Sequence, residues 1–178
     1  GSNNDFVRAL EIQTDGKIVV AGSASNGANW DFALARYNTN GTLDPTFGTA
    51  GTVTTAIGSS DDFAFALGIQ ADGKIVVAGY ASNGANDDFA LARYNSNGTL
   101  DTSFGSAGIT TTAIGSSDDS ANALGIQGNG KIVVGGYFYT GADCNFALVC
   151  YTATGATDTT FGSAGTVTTA IGGNDTIR

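Results

Sequence analysis

The chain has 178 residues, 27 of them glycine and only one proline, with neither methionine nor histidine. Its formal charge is −9, from 16 acidic and 7 basic residues, which argues against nucleic acid and anionic membrane surfaces as partners, because no basic run exists to neutralise phosphates. Without histidine, a Ser-His-Asp or Cys-His arrangement cannot form within the chain and zinc lacks its usual ligands, so neither a metal nor a cofactor is expected.

The missing methionine and the leading Gly1-Ser2 read as a cloning remnant on a piece of a longer protein, with residues 1–4 as tag or linker. The rest repeats with a period of 57, giving units 5–61, 62–118 and 119–175 without insertion or deletion. The first two copies share 45 of 57 residues, and a fixed length implies that each copy builds the same local structure. The third has drifted most, chiefly between Gly135 and Thr157.

In the central copy, Ala66-Leu67-Gly68-Ile69-Gln70 is an apolar strand that runs into Asp72-Gly73, and Lys74-Ile75-Val76-Val77-Ala78-Gly79 is the next. Asp-Gly between two β-type runs predicts a hairpin with a type I′ turn, in which both residues take positive φ, and with Lys74 facing solvent. Asn83-Gly84-Ala85-Asn86 is a loop, and Asp88 to Tyr94 a third strand alternating large and small side chains. Asn95-Ser96-Asn97-Gly98 turns the chain again. Leu100 to Gly105 then lead to a fourth, β-branched strand from Gly108 to Ile114. No 3.6-residue apolar period persists anywhere, so no helix is placed. The fold class is all-β: three four-stranded antiparallel units, stacked as blades of a β-propeller, with a β-solenoid or two-sheet sandwich as the competing arrangements.

The runs Asp72-Gly73-Lys74-Ile75-Val76-Val77-Ala78-Gly79, Asp88-Phe89-Ala90-Leu91-Ala92-Arg93-Tyr94-Asn95 and Gly98-Thr99-Leu100-Asp101-Thr102-Ser103-Phe104-Gly105 closely resemble the bacterial delta-sixty repeat. The resemblance covers virtually the whole chain. It implies a propeller module of large secreted or surface-displayed bacterial proteins, in an adhesive or cell-wall context, with no catalytic residues to carry over. The third copy departs from the pattern in Asn129-Gly130 and in Cys150, which stands where Arg36 and Arg93 stand. Closed propellers generally have four to eight blades, so three blades are expected to be completed by further repeats or by a homo-oligomer, a dimer with six blades or a trimer with nine.

Four groups of residues are candidates for chemistry. The pairs Asp61-Asp62, Asp87-Asp88 and Asp118-Asp119 are carboxylates of the kind glycoside hydrolysis uses; the plainer reading is solvated turn residues and sheet-edge protection. Arg36 and Arg93 follow Phe32-Leu34 and Phe89-Leu91 on one strand face, and Asp44 and Asp101, eight residues on, are their expected structural partners. Cys144 and Cys150, six apart on one extended strand, are too far apart to bond. The copies disagree mainly beside one loop: Trp30, Asp87 and Cys144 are equivalent, as are Ser23, Tyr80 and Tyr137, and the third copy adds Phe138 and Tyr139. Aromatics beside a loop can stack a sugar ring or pack between blades.

These residues give an expected function, a non-catalytic recognition or adhesion module of an extracellular bacterial surface or fibre protein, reading a glycan or another surface ligand through Ser23, Trp30, Tyr80, Asp87, Tyr137, Phe138 and Tyr139. The alternatives are a purely structural spacer or oligomerisation element, and a carbohydrate-active enzyme using the Asp pairs.

Overall fold

A computed structural model describes residues 4–172, among which there is no helix; Gly1, Ser2 and the end of the third repeat at Asp175 lie outside them. Twelve strands form three separate four-stranded antiparallel sheets. The first holds β1 (Asp5–Ile12), β2 (Ile18–Ser25), β3 (Trp30–Tyr37) and β4 (Thr52–Thr55). The second holds β5 (Asp62–Ile69), β6 (Ile75–Ser82), β7 (Asp87–Tyr94) and β8 (Ile109–Thr112), and the third β9 (Asp119–Ile126), β10 (Ile132–Tyr139), β11 (Cys144–Tyr151) and β12 (Thr166–Thr169). In each, the strands lie in chain order. The first strand β5 adjoins both β1 and β9, whereas no comparably close contact joins β4, β8 and β12. The sheets therefore fan out from a shared inner edge, as blades do.

The hairpin between the first two strands differs from the expected type I′ turn. Gly16, Gly73 and Gly130 take the left-handed region at φ 82°, while the preceding Asp15, Asp72 and Asn129 do not. The Gly16 N–H donates to the Gln13 carbonyl at 2.9 Å, and the Asp15 carboxylate accepts from the Lys17 N–H at 3.1 Å. Bonding locally through its side chain, the Asp settles a type I turn, which leaves one left-handed position for the glycine. Lys17 is not solvent-facing as expected either: its Nζ lies 2.9 Å from Asp44 Oδ2, and Lys74 reaches Asp101 at 3.0 Å.

Each first strand begins earlier than its apolar run suggests and carries a bulge, at Arg8, Phe65 and Asn122. Opposite each bulge stands a glycine, Gly22, Gly79 or Gly136, whose Cβ would collide with the backbone carbonyl of Phe6, Phe63 or Ser120. The bulge presses the neighbouring backbone into the space a side chain would need, so only glycine fits there.

Two apolar cores lie between blades. Phe32 and Leu34 of blade 1 pack on Ala64, Ile75, Val77 and Tyr94 of blade 2; Phe89 and Leu91 of blade 2 pack in the same way on Ile132, Val134 and Tyr151 of blade 3. One polar assembly recurs beside each core. Arg36 donates through Nε to Asp44 Oδ2 at 2.9 Å and through Nη1 to the Ser96 carbonyl of blade 2, with its guanidinium 4.7 Å from the centre of the Phe47 ring. Arg93 repeats this on Asp101, on the Ala153 carbonyl of blade 3 and on Phe104. Phe47 in turn covers Gly98: a Cβ there would meet the ring at 3.0 Å. The Gly48 N–H donates to the Asn97 carbonyl at 2.8 Å. In blade 3, where Cys150 replaces the arginine, Lys131 bonds Asp158 directly, so that carboxylate keeps a cation.

Arg93→Met should remove the bond to blade 3 and leave Asp101 with Lys74 and Ser103 as partners. Because those partners remain, the loss should fall at or below the lower end of the ~3–5 kcal/mol seen when a buried pair is broken. Chemical denaturation of the variant checks this; an unchanged midpoint would show that the arginine does not join the blades.

Candidate functional site

Two of the loop-side aromatics expected to form a site, Trp30 and Tyr80, belong to one row at the rim where the first strands begin. Trp30, at the start of β3, stacks on Phe6 at 5.2 Å between ring centres and on Phe63 of blade 2 at 5.5 Å. Phe63 continues to Tyr80 at 5.4 Å, and Tyr80 to Phe65 at 5.8 Å. The Arg8 guanidinium lies 5.7 Å from the Phe6 ring and 5.9 Å from the Phe65 ring, closing a row of five rings that crosses from blade 1 to blade 2. None of the five is fully buried, and Phe6 is 47% exposed. Burial pushes the Tyr80 hydroxyl up to about 12, helped by the negative charge of Asp87.

Phe6, Phe63, Phe65 and Arg8 were not candidates from sequence. Phe6 and Phe63 recur in the first two copies, so comparison of the copies passed over them, and the bulge that turns Phe65 and Arg8 toward the row has no sequence mark beyond the glycine opposite.

The other candidates divide. Ser23 is not at a binding surface: it is 1% exposed and its Oγ accepts the Ala64 N–H of blade 2 at 3.1 Å, because the loop beside it lies at the interface between blades. Tyr137, Phe138 and Tyr139, in β10, are all half-buried. Tyr137 is raised above the usual phenol range by burial, Phe138 packs against the core between blades 2 and 3, and the Tyr139 hydroxyl donates to the Gly141 carbonyl at 2.9 Å. Asp87 lies at the start of β7, half-buried. Cys144 and Cys150 share β11 and are not joined by a disulfide; burial raises the Cys150 thiol.

One member of each acidic pair at a crossing between blades departs from the reading of solvated turn residues, while Asp61 and Asp118 are exposed. Asp62 and Asp119 are fully buried, and each caps the end of the preceding blade: Asp62 Oδ2 accepts the Ile57 N–H at 2.7 Å and Asp119 Oδ2 the Ile114 N–H at 2.7 Å. Asp61 Oδ1 accepts the Trp30 N–H at 2.9 Å, and Asp118 Oδ1 the Asp87 N–H at 3.1 Å. Asp88 accepts from Asn83 at 3.0 Å. Asp61-Asp62 and Asp118-Asp119 occur where one blade passes to the next, where peptide N–H groups need an acceptor that the sheets do not supply, whereas Asp87-Asp88 begins β7 within blade 2. Among the described residues, no group of three or more Cys, Asp or Glu is placed to hold a metal ion.

At the other end of the inner strands, Glu11, Gln13, Leu67, Gln70 and Leu124 line a shallow cleft. It is open to solvent and carries no cation opposite Glu11.

Sheets of four strands, fanned about a common inner edge and joined by a repeated seam, define a β-propeller repeat protein. Residues 13–47, 70–104 and 127–161 each match a family described as a domain of unknown function (DUF5122) beta-propeller, one match per blade. The chain belongs to that family. No curated protein matches it.

The carboxylates set opposing pH dependences. Asp62 and Asp119 are held above the ordinary carboxylate range by burial; ionising them costs stability, and this cost is relieved as pH falls through their folded-state values. Asp44 and Asp101 are held low, first by the Thr46 and Ser103 hydroxyls and also by Lys17 and Lys74, and Asp158 is brought to about 2, first by Lys131. Their contribution is complete above the unfolded value of about 3.9 and is lost as pH falls through the folded values. The melting temperature should therefore rise as pH falls from 7 toward the unfolded carboxylate value of about 3.9 and fall below it. Asp62→Asn with Asp119→Asn should flatten the rise, and a rise that persists in the double variant would assign it to the net charge instead.

Proposed function

We propose that the chain is a non-catalytic recognition module of a secreted or surface-displayed bacterial protein, and that its row of aromatic rings stacks a sugar ring or a comparable apolar face of a surface ligand. One observation carries this reading: the row is continuous over two blades, and all five of its rings keep part of their surface in solvent. The structural phenylalanines Phe32, Phe47, Phe89 and Phe104 are, by contrast, fully buried. Flat half-exposed rings on a rigid scaffold offer contact area at little cost in conformational entropy. The resemblance to the delta-sixty repeat supports the same setting, extracellular and adhesive.

A second reading, a structural spacer or oligomerisation element without a ligand, has its own support. Ser23 is buried under the next blade, and Trp30 is held between Phe6 and Phe63, so part of the copy-to-copy variation serves the seam.

Tyr80→Ala and Phe65→Ala, at the end of the row, separate the two. Probed on a glycan array, the wild-type protein should bind a defined set of sugars, and each variant should lose roughly tenfold in affinity, about 1.4 kcal/mol, with an unchanged circular dichroism spectrum. Blank arrays for the wild type, or binding indifferent to both variants, would favour the spacer.

A further inference from the structure

We propose that the chain closes its ring head to tail with further copies of itself, the open face of blade 3 docking on the open face of blade 1 of the next copy through the contacts that already join blades 1, 2 and 3. The two faces are complementary halves of one interface. This stands independently of what the aromatic row binds.

The first element is a ring over a glycine. Phe47 and Phe104 cover Gly98 and Gly155 and are fully buried. The equivalent socket on blade 1 is Gly41, whose Cβ position has no atom within 4 Å; the equivalent ring on blade 3 is Phe161, which is half-exposed. The second element has the opposite polarity. Leu124 and Ile126 of blade 3 press on Gly68 of blade 2, where a Cβ would meet Leu124 at 2.8 Å. Their counterparts on blade 1, Leu10 and Ile12, are 57% and 64% exposed, and the counterpart of Gly68 on blade 3 is Gly125, which again has nothing within 4 Å. Each face thus presents one socket and one knob, and each knob matches the socket on the other face.

The remaining contacts fall into the same pattern. The Tyr94 hydroxyl bonds Thr55 and the Tyr151 hydroxyl bonds Thr112, both at 2.9 Å across a seam; the next pair in register is Tyr37 on the blade 1 face and Thr169 on the blade 3 face. Phe146 and Leu148 on blade 3 are half-exposed, where Phe89 and Leu91 are buried by the following blade. A pairing that uses two different faces is heterologous and closes only as a ring, and blades that already turn about a common inner edge supply the rotation. Two copies give six blades, within the four to eight that propellers take. Cys150 holds the place of the seam arginine, so the copy-to-copy seam lacks one bond that the seams within the chain possess.

The solution mass of the 178-residue chain, followed by light scattering through a dilution series, tests the proposal. Twice the 17.8 kDa chain mass is expected, and three times that mass would support the same seam in a larger ring. Two variants each disable one face: Leu10→Asp with Ile12→Asp on blade 1, and Gly125→Leu on blade 3. Both alter positions open in the single chain, so each should keep the wild-type circular dichroism spectrum and have the mass of one copy. Mixed in equal amounts they should form a pair, because each retains the face the other lacks. A wild-type chain at 17.8 kDa throughout the series would overturn the proposal and leave both faces to blades of a longer polypeptide; variants that stay assembled, or a mixture that stays unpaired, would overturn the head-to-tail geometry.

Discussion

The structure depends on a glycine that has no side chain to displace. With only hydrogen at Gly98, the Phe47 ring of one blade lies against the backbone of the next, the Gly48 N–H reaches the Asn97 carbonyl, and the Arg36 guanidinium lies over the ring while bonding Asp44 and the Ser96 carbonyl. Apolar contact, a charge-assisted bond and a backbone bond thus converge on one point of each seam. The Arg36–Asp44 bond and the Arg36–Phe47 contact lie within blade 1, but the Ser96 and Asn97 carbonyls and Gly98 belong to blade 2, so a blade alone would leave the ring uncovered and the Gly48 N–H without its acceptor. This is the nearest-neighbour logic of repeat proteins, in which each unit is completed by the next.

The seam also explains the acidic residues. A chain carrying −9 holds several carboxylates in places that raise the cost of ionising them, Asp62 and Asp119 among them. They are kept there because each crossing between blades exposes peptide N–H groups that need an acceptor. Asp44, Asp101 and Asp158 lie in the opposite setting, between hydroxyls and cations. The same residue type therefore serves two electrostatic purposes within one repeat, separated by where the chain crosses and where it turns.

Much of the fold was legible in the sequence because its signals are local. The Ile-Val-Val runs, the Asn-Gly turns and the alternating Phe-Ala-Leu-Ala-Arg strand need no knowledge of the neighbouring blade. The Arg36–Asp44 spacing was legible too, since both residues lie in one copy. What sequence did not convey was chiefly whatever another blade decides, that Asp62 is buried and that Ser23 bonds Ala64; within one blade it also missed that Lys17 turns inward to a carboxylate already shared with an arginine. Strand starts were misplaced for a related reason, since Asp62 to Phe65 mix charged and aromatic residues and look irregular until the bulge opposite Gly79 is known. The candidate rim was half legible: Trp30 and Tyr80 differ between copies and drew notice, while Phe6 and Phe63, identical in two copies, were not singled out although they supply the rings on which Trp30 stacks.

Amide hydrogen exchange measures the seam most directly. The Gly48 and Gly105 N–H groups belong to loops, yet each donates to a carbonyl of the neighbouring blade. They should therefore exchange as slowly as the central amides of β6 and β7. Exchange at the rate of the exposed Asn83 to Asn86 loop would contradict the account, because the backbone bond at the centre of each seam would then not hold.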